Sequence, residues 1–296
     1  MTDLLDQPVS LADLLTLFGP AIAAAFAAAA LCGYLGLFVV LRRVSFVSAA
    51  LGQISGLGVA LGFLVGAVAG VDPHQPTPLY LDPVVWALVL TGAAAALLAY
   101  VPRLQQIAPE SVVALVYLGA TALVLIILAN PLIVQETHEI GDLLFGNAVA
   151  VRKEHLVELV VVAAVVLLSH LVLFKDLLLV SYDAEMAQAL GLPVGKLELF
   201  LNLSIGVSVA VATRAVGALP VFGFLVLPAG AALVTMESVA GVMAFAMIGA
   251  LVAAGAGFYL SFVESWPTGP MMVVCAAAFW PIAALVRVAR GKRRSR

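Results

Sequence analysis

Nine stretches of this chain are apolar for about 20 residues each, the length an α-helix needs to cross the hydrocarbon core of a bilayer. They are expected at about residues 18–41, 46–71, 83–101, 111–131, 155–174, 197–213, 219–235, 239–263 and 270–288. Together they leave room for no soluble domain. The two longest polar segments between them are about 20 residues each, near 135–154 and 175–196. In a solvent that offers no hydrogen bonds, a spanning segment must satisfy its own backbone, so each stretch is read as a helix. The expected fold is therefore all-α, a polytopic membrane protein of about eight to nine transmembrane helices. The count is open at the seventh stretch, where breaks at Gly217–Pro220 and Pro228–Gly230 would suit a discontinuous or re-entrant helix.

Composition agrees. Of 296 residues, 64% are apolar and 10% charged, against about half and a quarter in soluble domains. Small residues crowd the spans, as at 21–30, 92–96 and 253–257, where they permit close helix approach in lipid. Cys32 and Cys275 both fall inside apolar spans and form neither a CxxC motif nor a disulfide framework, so they read as packing residues. The first apolar run is long and follows an acidic stretch, which argues against a cleaved signal peptide.

Charge gives the body a direction. The basic run Arg287 to Arg296 follows the last span, so it reads as a cytoplasmic anchor rather than a nucleic-acid tail. Alternating backwards from a cytoplasmic C-terminus places Arg42, Arg43, Arg103, Lys175 and Lys196 inside. Only Arg152, Lys153 and Arg214 then face outward. The N-terminus, with Asp3, Asp6 and Asp13, falls on the outer side. The whole chain is read as one transmembrane unit: an embedded core at 18–290, an inner segment at 175–196 and a basic tail at 291–296.

Enzyme-like motifs fail on inspection. His138-Glu139-Ile-Gly-Asp142 starts like a zinc-protease signature but has Asp142 where the second imidazole must stand. Gly191-Leu-Pro-Val-Gly195-Lys196-Leu197 is one residue short of a phosphate loop, and Leu197 replaces the magnesium-binding hydroxyl. The chain is thus read as carrying no ATP site and no catalytic residue. Glu136, His138 and Glu139 form an outward acidic cluster, either a cation entry funnel or a solvated loop. Ser48, Gln53 and Ser55 make the second span unusually polar, and Asn202 and Ser208 stripe the sixth; these five are candidate path residues, with interhelical hydrogen bonding as the alternative. The inner segment around Asp183-Ala-Glu185-Met-Ala187-Gln-Ala189-Leu190-Gly191 reads as a short helix, with Asp183 as N-cap and Gly191 as stop. It suits either docking of a partner, with Asp183, Glu185, Ala187, Ala189, Leu190 and Gly191 in contact, or a plain linker.

Three ordered blocks carry a resemblance. They are Gly36-Leu-Phe-Val-Val-Leu41-Arg42-Arg43-Val-Ser-Phe46 with its continuation to Gly62, Leu144-Phe145-Gly146-Asn147, and the Asp183–Pro193 segment followed by Arg214-Ala-Val216-Gly217 and Phe224 to Ala229. The chain resembles the membrane permeases of bacterial ABC importers for zinc, manganese and iron. That resemblance implies a type II importer permease in the bacterial inner membrane, paired with a second permease copy. It further implies two separate cytoplasmic ATPase subunits that hold ATP and magnesium, and an extracytoplasmic metal-binding protein. The Asp183 segment would be the coupling helix, and a divalent metal ion would be the cargo. One departure stands out. Family members commonly carry Asp and, four residues on, His on the second span; here those positions hold Ala49 and Gln53. A methyl and a neutral amide are poor zinc ligands, so a metal chelate is the alternative cargo. A stand-alone secondary transporter would need ionisable residues at span depth, and the span centres carry almost none.

Overall fold

A computed structural model describes residues 11–42, 44–70, 78–100, 108–136, 141, 151 and 153–294. Eleven α-helices and two short 3-10 turns, at Leu79–Leu81 and Pro131–Glu136, make up its regular structure, with no strand among the described residues. The helices are α1 (Leu11–Leu41), α2 (Ser45–Val68), α3 (Pro83–Tyr100), α4 (Pro109–Leu128), α5 (Lys153–Tyr182) and α6 (Ala184–Ala189). They continue with α7 (Val194–Val216), α8 (Ala218–Thr235), α9 (Val239–Glu264), α10 (Thr268–Ala277) and α11 (Phe279–Arg294). Eight segments are long and apolar enough to cross a membrane, and the shorter α3 is apolar throughout. This is a multi-pass membrane protein of the expected all-α class.

The helix ends follow from side-chain chemistry. Phe18 leaves helical geometry two residues before Pro20, whose ring supplies no N–H, so α1 kinks there. The ninth stretch divides at Ala278 into α10 and α11, because Pro281 cannot donate to Ala277 and crowds its carbonyl.

Two expectations need correction. Of the two breaks expected about the seventh stretch, the helix runs unbroken through Pro228–Gly230, while Gly217, with a φ of 93°, does end α7 and start α8. The fifth span does not stop at residue 174. Lys175 and Asp176 end the apolar run but not the helix, since Leu177 and Val180 keep a buried face as far as Tyr182. Within the 175–196 segment the chain thus leaves helical geometry only between Tyr182 and Val194, apart from the short helix α6.

α1 lies at the centre. Leu31, Leu35 and Phe38 are wholly buried, in one cluster with Leu201 and Ile205 of α7, Phe224 of α8 and Ala250 of α9. Close approach at small residues holds the layers together. Gly58 of α2 lies against the backbone of Ala87, Gly62 against Pro83, Gly36 against the Leu225 carbonyl and Gly257 against Met272. α4 and α5 turn outward a surface of Leu115, Leu118, Leu125, Leu168, Leu171 and Val172, which lipid can solvate.

Candidate coupling surface and translocation path

α6 is six residues long, too short to persist unaided, and its ends show what holds it. Asp183 is extended, and its carboxylate accepts from the Met186 N–H at 2.9 Å. At the other end Gly191 N–H donates to the Gln188 carbonyl and Leu192 N–H to that of Ala187, a Schellman closure. It requires the positive φ of 82° that Gly191 adopts without steric cost. Ala187 is fully buried in the main core, so it seats α6 on its own body rather than offering itself to a partner. The outward surface is Tyr182, Met186 and Leu190, with Glu185, Gln188 and Ala189 also exposed. An apolar group of that size, rimmed by acidic groups at the end of a membrane body, is the kind of surface that marks an interaction site.

Of the five candidate path residues, Gln53 stands apart from the other four. Ala49 and Gln53, one helical turn apart on α2, are both partly exposed, and the Gln53 Oε1 is buried without a hydrogen-bond partner. The other four lie inside the protomer. Ser48 donates to the Ser45 carbonyl at 2.7 Å, within its own helix. Ser55 is wholly buried and donates across to the Ala210 carbonyl of α7 at 3.5 Å. Ser208 is wholly buried, and its hydroxyl finds no partner. Asn202 is engaged with Arg42. These four are thus packed among the helices, and Gln53 is the most exposed of the five candidates. Among the described residues no three His, Cys, Asp or Glu side chains gather as a metal site. The entry-funnel candidates His138 and Glu139, and the Glu136 side chain, lie outside what is described.

Sequence reading missed three polar ties that lock the helices. Arg42, just past α1, donates to Asn202 Oδ1 at 2.9 Å and pairs with Glu198 at 3.4 Å, both on α7. Burial pushes the Arg42 guanidinium down and the Glu198 carboxylate opposes that shift. His170 of α5 is wholly buried and meets Ser204 of α7 at 2.8 Å. Because Ser204 donates to the Leu201 carbonyl, His170 Nε2 is assigned as the donor. Arg214 of α7 donates to Glu158 Oε2 at 2.8 Å and to His155 Nε2 at 3.1 Å, both on α5. The available signal was the cost of burying charge: an Arg or Glu at a span margin needs a partner on the neighbouring helix. Glu198→Ala is expected to destabilise the detergent-solubilised protein by about 1.5–3 kcal/mol, since Arg42 loses a charge-assisted bond. A thermal melt unchanged from the unaltered protein would contradict that assignment.

The ABC 3 transport family profile matches residues 15–287. The manganese transport system membrane protein MntC of Halalkalibacterium halodurans is 25% identical over 283 residues, covering 92% of this chain and 91% of that protein. The chelated iron transport system membrane protein YfeD of Yersinia pestis is 25% identical over 266 residues, covering 89% and 83% respectively. In the solved structures, PsaBC from Streptococcus pneumoniae in complex with Fab superposes with a TM-score of 0.76 at 24% identity, covering 92% of this chain and 93% of that one.

Proposed function

The chain belongs to the ABC 3 transport family, and from that premise we propose that it is the membrane-spanning permease of an importer for a divalent transition metal, zinc or manganese first and iron next. The observation that carries the reading is α6. It is capped at both ends, inserted between two spanning helices, and turns Tyr182, Met186 and Leu190 to the outside. Such an element suits a separate motor subunit, and no phosphate loop is legible in this chain to hydrolyse ATP itself. Two ATPase subunits, carrying ATP and magnesium, dock at α6 in the cytoplasm. A second permease copy pairs with this one around the Ala49–Gln53 face, and an extracytoplasmic metal-binding protein delivers the cargo. The N-terminus then lies outside and the basic C-terminus inside, in the inner membrane of a bacterium. Closure of the ATPases on ATP drives alternating access. Nucleic acid has no part in the reading.

A second reading keeps the machinery and changes the cargo. Ala49 and Gln53 offer one amide where an Asp/His pair would offer two good ligands, which favours a metal chelate over a bare ion. Uptake by the assembled complex in vesicles separates the two, with zinc(II), manganese(II) and a chelated iron(III) compared. Stimulation of ATP hydrolysis by the free divalent ions supports the first reading. If only the chelate stimulates, the first reading fails and the second stands.

A further inference from the structure

The helices on either side of α6 are tied at three depths, once to Arg42 beyond α1 and twice to each other. α5 runs into α6 and α7 leaves it. Near the α6 end, Arg42 of α1 holds α7 through Glu198 and Asn202. Further along, His170 of α5 meets Ser204 of α7. At the far end Arg214 of α7 meets Glu158 and His155 of α5. Ser204 and Arg214 are separated by about 15 Å of helix, from ten residues at the usual rise. The Arg214 side chain is only 11% exposed, so sliding α7 along α5 strips a nearly buried cation of its partners, which a membrane body resists. α5 and α7 therefore move in register.

What lies just past Arg214 gives that rigidity a use. Three residues on, Gly217 (φ 93°, ψ 156°) forms a one-residue joint, and α8 begins at Ala218. Ala218 packs beside Gly52 of α2; a Cβ placed on Gly52 would meet the Ala218 Cβ at 3.4 Å. Gly52 is buried on α2, next in the chain to the half-buried Gln53. A displacement imposed on α6 is thus carried along a cross-tied α5–α7 pair to a joint seated against the buried side of α2, the helix that carries Gln53.

We propose that the Arg214–Glu158–His155 cluster is a mechanical tie that transmits movement of α6 to the Gly217 joint and the α2 path face, with Arg214 a positioning residue that never contacts the cargo. This rests on the reading of α6 as the ATPase docking element. The whole complex, reconstituted in vesicles with manganese(II) or zinc(II) as probe, gives two readouts: ions taken up and ATP hydrolysed. Arg214→Gln is expected to lower ions per ATP by about fivefold or more while basal hydrolysis stays within about twofold, a loss in the range of broken pair couplings. Arg214→Lys, which keeps the charge, restores most of the ratio. If Arg214→Gln does not assemble, Glu158→Gln, which preserves shape, carries the test with the same expectation. An unchanged ratio, or uptake and hydrolysis falling in parallel, overturns the tie. An unaltered complex with no ATP-driven uptake of either ion overturns the functional reading instead.

Discussion

Gly58→Leu is expected to separate α2 from α3 and leave no well-behaved protein. A Cβ at Gly58 meets Ala87 Cα at 2.5 Å, the Ala87 nitrogen at 2.7 Å and the Trp86 carbonyl oxygen at 2.8 Å. All three are backbone atoms, so no rotamer change relieves the overlap and one helix must move. Overpacking by side chains costs about 1–3 kcal/mol when neighbours can adjust; here they cannot, and the loss should exceed about 3 kcal/mol. Gly92 on α3 is the internal control, with nothing within 4 Å of an added Cβ. Gly92→Ala should leave stability equal or raise it by up to about 1 kcal/mol through helix propensity. Size-exclusion profiles and thermal melts in detergent read both. A Gly58→Leu protein that melts with Gly92→Ala would show that α2 and α3 do not pack as described.

Met186→Asp is expected to abolish binding of the motor subunit while leaving the permease folded. Met186 is more than half exposed at the outer turn of α6, between Tyr182 and Leu190. Its main-chain N–H still reaches Asp183, so the cap survives the substitution. A carboxylate there must be desolvated when a partner closes over it, and it adds to the charges of Asp183 and Glu185. Loss of a central interface contact costs about 2 kcal/mol or more, which is about thirtyfold in affinity. Copurified ATPase should fall accordingly, with the melting profile of the permease itself unchanged. Gln188→Ala, on the same short helix and removing no apolar contact, should retain the partner. Equal retention by both variants would place docking elsewhere.

The body of the fold was legible because lipid leaves a segment few options: the apolar runs at 46–71, 83–101, 111–131, 197–213, 219–235 and 239–263 lie within about three residues of α2, α3, α4, α7, α8 and α9. Legibility failed where apolarity and helicity part company. Lys175 and Asp176 end a hydrophobic run yet sit mid-helix, because backbone hydrogen bonding continues for as long as one face stays buried. Pro228 looked like a breaker but lies buried inside α8, with Gly249 of α9 close against its ring, as packed spanning helices tolerate. The α6 caps were readable because an Asp N-cap and a Gly stop are local signals. The partners of Arg42, His170 and Arg214 lie 160, 34 and 56 residues away along the chain, and no local pattern announces them. The burial of Ala187 was not legible for a similar reason: a small residue suits an external partner and an internal contact equally, and only the packing decides. Ala49 and Gln53 lie one turn apart on α2, and a methyl and an amide there are not the ligand pair that the resemblance implies.

Uptake of metal into vesicles that hold this chain, with and without its ATPase partner, separates a motor-driven permease from a carrier that works alone. The account predicts accumulation only when both are present, only with ATP supplied on the α6 side, and none with Met186→Asp. Accumulation by the chain alone, driven by an ion gradient and indifferent to ATP, would contradict it.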